Sequence, residues 1–150
     1  MFDFTYYPMA AKLIFFGMHL RLSPTDADAR IIVNQDDIDR LATKWEIDHN
    51  EYDHAKLVNE FKRTMREAVK IGVAVFIGRG YYDVTGIVKA ATADVYATNA
   101  LHIADEMVAG KTEVWRAESL RWYCHQLSLL TGDPHDPNDY FPVSEPLRAE

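Results

Sequence analysis

From Gly72 to Gly86 the chain reads GVAVFIGRGYYDVTG, and the choice of fold class turns on this stretch. Gly72 closes a long helical pattern, as a residue free to take positive φ does at a helix end. Residues 73–78, VAVFIG, are a short apolar run ended by a second glycine, which predicts a buried strand. RGYYDVTG then predicts a turn or a short hairpin arm. Strand signals between helical patterns point to an α+β domain.

Upstream, the helix expected over residues 51–71 carries an apolar stripe of Leu57, Val58, Phe61, Met65, Ala68 and Val69. Before it, Asn34 or Asp36 can cap a helix that places Ile38, Leu41, Ala42 and Trp45 at the i, i+3, i+4, i+7 spacing. The front of the chain alternates instead. In LIFFGMHLRLS, residues 13–23, the apolar positions 14, 16, 18, 20 and 22 recur every second residue, the pattern of a half-buried strand. A turn cluster, SPTDAD, separates it from ARIIVN, residues 29–34, a second strand, so a hairpin is expected. FDFTYY, residues 2–7, alternates too and adds an edge strand. In the rival reading Ser23, Pro24 and Asp26 open a short helix over the same turn.

Downstream, IVKAATADVYATNALHIADEMVAG has apolar groups on almost every side, which predicts a central buried helix ended by Gly110. Thr112 is expected to cap EVWRAESLRWYCHQLSLL, which ends at Gly132. So short a gap permits only an antiparallel helix hairpin. The expected fold is therefore a small antiparallel sheet, made of N-terminal strands plus residues 73–78. It packs on about four helices, the last two forming a hairpin. Residues 1–131 form a single globular α+β domain. Residues 132–150 hold four prolines and form an extended acidic tail, dispensable for folding, with Tyr140 and Phe141 as its one obvious anchor.

Composition narrows the function classes. A chain of 150 residues with 48% hydrophobic and 26% charged residues builds one ordinary core. No apolar run approaches the ~18 residues of a membrane span. Cys124 is the only cysteine, which excludes an internal disulfide and suits a reducing cytoplasm. The net charge of −7 speaks against nucleic acid as a partner, because affinity there comes from neutralising phosphates.

Few motifs carry chemistry. EIDHNEYDH, residues 46–54, packs two histidines and four carboxylates into nine positions. Glu51 and His54 form one E-x-x-H pair, the spacing that di-iron carboxylate bundles use twice, with further helical glutamates. The nearest supplement is His102 with Glu106, so the ligand set is incomplete and no metal or other cofactor is expected. Cys124 and His125 are adjacent on a helix and diverge by about 100°. Cys124 falls on the stripe Ala117, Leu120, Cys124, Leu127, as an inert core thiol does. No catalytic residue is assigned.

Three surfaces are distinctive. The loop Gly78, Arg79, Gly80, Tyr81, Tyr82 combines backbone freedom, charge and rings that can stack a base; a hairpin with aromatic cross-strand packing has the same composition. Lys56, Arg63, Arg66 and Lys70, followed by Arg79, form a basic helix face that an acidic tail can meet within or between chains. Finally, Trp115, Trp122 and Leu129 recur every seven residues, away from the Cys124 stripe. Glu118, Arg121 and His125 form a polar ridge between the two. A helix with two apolar faces needs two partners. The second can be the preceding helix, another copy or another protein, and Trp and Arg dominate binding hot spots.

The leading expectation is a cytoplasmic, oligomeric, non-enzymatic accessory protein of bacterial or phage type. It regulates by docking on a basic partner, such as a nucleic-acid-handling enzyme that it inhibits. The alternatives are a metal-dependent hydrolase or oxidase built on Glu51, His54, His102 and Glu106, and a single-stranded nucleic-acid binder using the basic helix and the glycine loop.

Overall fold

The computed structural model of the chain describes residues 9–22, 28–34, 36, 37, 39, 40, 43, 44 and 54–141. The chain divides into two compact units, Met1–Thr92 and Ala93–Glu150.

In the first unit, Met9–Phe16 forms helix α1 and His19–Arg21 a 3-10 turn. This corrects the strand expected over residues 14–22, and with it the N-terminal hairpin. The alternation that suggested a strand holds only from Gly17 on; before it, AAKL is made of good helix formers. A helix followed by a tight turn lets Phe15 and Met18 both face the core. Phe15 stacks on Phe61 with ring centroids 4.7 Å apart. Leu20, which the strand reading placed inside, is exposed. The expected edge strand over residues 2–7 lies outside the described residues, as do Ser23, Pro24 and Asp26.

The second expected strand is present as β1, Ile32–Val33. Asn34 then caps the helical stretch that follows. Its N–H donates to Asp37 Oδ2 at 3.0 Å, while the Asp37 N–H donates to Asn34 Oδ1 at 3.0 Å. This reciprocal pair satisfies two backbone donors at the start of the helix. The described positions among residues 36–44 are helical.

Helix α2, His54–Lys70, buries Phe61, Met65 and Ala68 from the expected stripe, together with Thr64. The Thr64 hydroxyl donates to the Glu60 carbonyl at 2.8 Å, so its burial leaves no unpaired oxygen. Gly72, at φ 85°, turns the chain. The N–H groups of Val73 and Ala74 then both donate to the Ala68 carbonyl, closing the helix.

Strand β2, Val75–Gly78, and strand β3, Tyr81–Asp83, form the hairpin. Arg79 and Gly80 both have positive φ, 54° and 78°, as a two-residue type I′ turn requires. The sheet is antiparallel in the order β1–β3–β2. Val33, Tyr82 and Phe76 align on one row, and Ile32, Asp83 and Val75 on the next. A bulge at Ile77 shifts the register between Phe76 and Gly78. The β2 strand expected to be buried is instead an exposed edge, because it has a strand neighbour on one side only among the described residues.

Helix α3, Thr85–Val108, and helix α4, Val114–Thr131, pair as a hairpin. The start of α3 is locked to the sheet. Thr85 Oγ1 accepts from the Ile31 N–H at 2.8 Å and donates to Asp83 Oδ1 at 2.6 Å. The Asp83 carboxylate also accepts the Thr85 N–H. Gly86 is required here, since a Cβ would lie 2.5 Å from the Val73 carbonyl oxygen. Ile87, Val88, Ala90 and Ala91 complete the core of the first unit.

In the second unit α3 is not buried all round. Only one stripe, Ala100, Ile103 and Ala104, is covered, by Leu120 and Cys124 of α4. Leu101 and Val108 are exposed. Thr112 does not cap α4: the N-cap is Glu113, and it makes no side-chain capping bond. Gly132 ends α4 in the left-handed conformation expected of it. Beyond it the chain folds back. The His135 N–H donates to Ser128 Oγ at 2.9 Å, and Pro137–Tyr140 forms a 3-10 turn capped by Asp136. This places Tyr140 and Phe141, the anchor pair, against the Ala104–Cys124 cluster.

Candidate docking face on the last helix

The core side of α4 is Arg116, Leu120, Cys124 and Leu127, all buried. On the other side Trp115, Trp122 and Leu129 are 51%, 49% and 47% exposed. About half of each large side chain therefore touches protein and half faces solvent. The protein half is ordered by specific contacts. Trp122 packs edge-on against Tyr96 and Tyr123, with ring centroids 5.4 and 5.1 Å away. Tyr96 and Tyr123 also meet at 5.4 Å, and Asn99 donates to the Tyr123 hydroxyl at 3.4 Å. The Arg116 guanidinium lies 4.3 Å over the Trp115 ring, a cation–π arrangement. The expected ridge of Glu118, Arg121 and His125 is exposed.

Arg116 is the side chain beneath this face that the sequence pattern did not single out. It is charged, yet it occupies a buried position. Its guanidinium donates to Glu106 Oε2 at 3.0 Å and pairs with Glu113. Glu106 also receives Lys111 Nζ at 3.3 Å and lies 3.3 Å from His102 Nε2. The hydrogen bond from Arg116, helped by Lys111 and opposed by burial, holds the Glu106 carboxyl below the usual carboxylate range. These pairs tie the loop between α3 and α4 to both helices and orient Arg116 beneath Trp115. The spacing of Glu106 and Arg116, ten residues across a turn, carries no local periodicity that would reveal them.

Chemistry at the other sites is limited. Cys124 is a free, buried thiol whose pKa burial pushes up to about 11, with Asp136 and Asp139 adding to the shift. At that value the nucleophilic thiolate is scarce. Among the described residues, no group of three histidine, cysteine or carboxylate side chains is placed to hold a metal. Glu51 and the side chain of His54 lie outside the described residues. The other proposed ligands, His102 and Glu106, do meet, but two cations already occupy Glu106.

The glycine loop is the β2–β3 turn. Gly78, Arg79 and Gly80 all have positive φ, Tyr81 is exposed, and Tyr82 packs its ring 5.1 Å from Phe76. Tyr82 thus serves cross-strand packing, while the Tyr81 side chain faces solvent. On α2, Lys56, Arg63, Arg66 and Lys70 are exposed, with Arg63 paired to Glu60 at 2.7 Å.

No family model, no curated protein and no solved structure matches the chain. Among the described residues no helix is long and apolar enough to cross a membrane.

Proposed function

We propose that this chain is a non-enzymatic, regulatory protein-binding module that docks through α4 onto a basic surface of another protein. The observation that carries this reading is the row Trp115, Trp122 and Leu129, half-exposed on the side of α4 away from its core. Large aromatic residues at the centre of an interface supply much of its binding energy. Here Tyr96, Tyr123 and Arg116 already hold the two indoles in place, so little side-chain freedom is lost on docking. Glu118, Arg121 and His125 provide a polar rim beside the apolar row.

Charge selects the partner. Residues 93–150 hold ten carboxylates against four lysine and arginine side chains, a net of −6. Complementary potentials raise association rates and exclude partners of like sign. A protein whose own ligand is nucleic acid carries such a basic surface, and occupying that surface inhibits it.

The test is quantitative capture from host lysate with wild-type protein and with the Trp115→Ala/Trp122→Ala double variant, across a salt series. The expected result is a specific basic partner, captured less as salt rises and not at all by the folded double variant. Equal capture by both proteins contradicts the reading.

A further inference from the structure

Among the described residues, the edge strand β2 is unfinished on both of its faces. Val75, on the row with Asp83 and Ile32, is 53% exposed; Phe76, on the core-side row with Tyr82 and Val33, is also 53% exposed. Ile77, at the bulge, is 51% exposed. A helix docking on one face would cover one of these rows and leave the other open. Equal exposure above and below the sheet places the missing neighbour in its plane, which is where a further strand lies.

The strand also lacks the usual protections of a sheet edge. Residues 73–78 contain no lysine, no carboxylate and no proline. Among the described residues, the short length of β2 and the bulge at Ile77 are the devices present, and they limit pairing to a short ladder around residues 73–77.

We propose that β2 is a homodimer interface, in which two copies pair β2 against β2 antiparallel about a two-fold axis and join their sheets. A second copy brings the same uncharged, two-sided apolar edge, so no like charges meet across the pair. The area also fits a dimer. Val75, Phe76, Ile77, Tyr81 and the adjacent Ile71 are each about half exposed. Their whole exposed area is roughly 500 Å² per copy, so the pair buries at most about 1,000 Å², the lower limit of a specific interface. The dimer is therefore weak and concentration-dependent.

The test is sedimentation of the full chain over a range from about 1 µM to 1 mM, the span of weak to moderate affinities. The expected result is a monomer–dimer equilibrium. Val75→Lys and Ile77→Lys, at solvent-facing positions of the edge, are expected to weaken it at least tenfold without lowering the thermal transition. Trp122→Ala is expected to leave it unchanged. Single cysteines placed at residues 75, 76 and 77 in a Cys124→Ser background supply a gain-of-signal arm. At least one is expected to form a disulfide-linked dimer under mild oxidation. A protein that stays monomeric throughout, a dimer that survives both lysine variants, or the absence of crosslinking at all three positions overturns the proposal. A dimer abolished by Trp122→Ala moves the interface to α4 and does the same.

Discussion

Thr85 joins the residue before β1, strand β3 and α3 through one hydroxyl. Thr85→Val keeps the shape, but it leaves the Ile31 N–H buried and unpaired, which is expected to cost about 1–3 kcal/mol in chemical denaturation. A variant as stable as wild type would show that water replaces the hydroxyl. The Cys124 thiol, pushed up to about 11, is expected to resist thiol reagents at pH 8 in the folded protein and to react on unfolding. Rapid labelling of native protein would contradict that burial. Phe61, Met65, Cys124 and Gly132 were legible in the sequence because local spacing or glycine chemistry marks them. Thr85, Gly86 and Arg116 were not, since each is explained by a partner distant in the chain or by a backbone atom of another segment.

Elements succeed or fail as readings for similar reasons. Helices α2, α3 and α4 and strand β2 are legible because each shows its own period or apolar run, whereas the β3 stretch reads only as a turn or a short hairpin arm. α1 was misread because a short run, LIFFGMHL, fits period two as well as it fits a helix and a turn; only the stacking of Phe15 on Phe61 decides between them. The exposure of β2 was missed because an apolar run does not reveal whether a strand has one neighbour or two. The β2–β3 turn carries a testable cost. Arg79 holds φ 54°, a region that disfavours most L residues. Arg79→Asn is expected to stabilise by about 0.5–1 kcal/mol, as Asn-Gly suits a type I′ turn. A lower melting temperature would show that the arginine side chain offsets the strain. In the α3–α4 loop the Glu106 carboxyl is held low by Arg116. A carboxylate lowered in the folded state contributes stability above its unfolded pKa and loses it as pH falls through the folded value. Glu106→Gln is expected to lower the melting temperature at pH 7 and to flatten its decline through the acid range. An unchanged acid profile would remove Glu106 from the account.

At the scale of the whole molecule, charge is unevenly distributed. Residues 1–92 are nearly neutral and carry the basic face of α2, while residues 93–150 carry a net of −6 and the row of aromatic side chains on α4. The last described residues are part of that second unit, since Tyr140 and Phe141 pack on its cluster. Removing everything after Thr131 is therefore expected to lower the melting temperature and expose Cys124 to labelling; an unchanged transition would make the anchor dispensable. The central claim is that the outer side of α4 serves another protein rather than this one. The most direct measurement pairs a thermal melt with quantitative partner capture for Trp115→Ala and Trp122→Ala. Because about half of each indole faces solvent, each substitution is expected to cost about 1–2 kcal/mol of stability, below the 3–5 kcal/mol of a fully buried aromatic, while capture falls at least tenfold. A loss of 3–5 kcal/mol with capture undiminished in the protein that remains folded would contradict the claim and make the row part of the core.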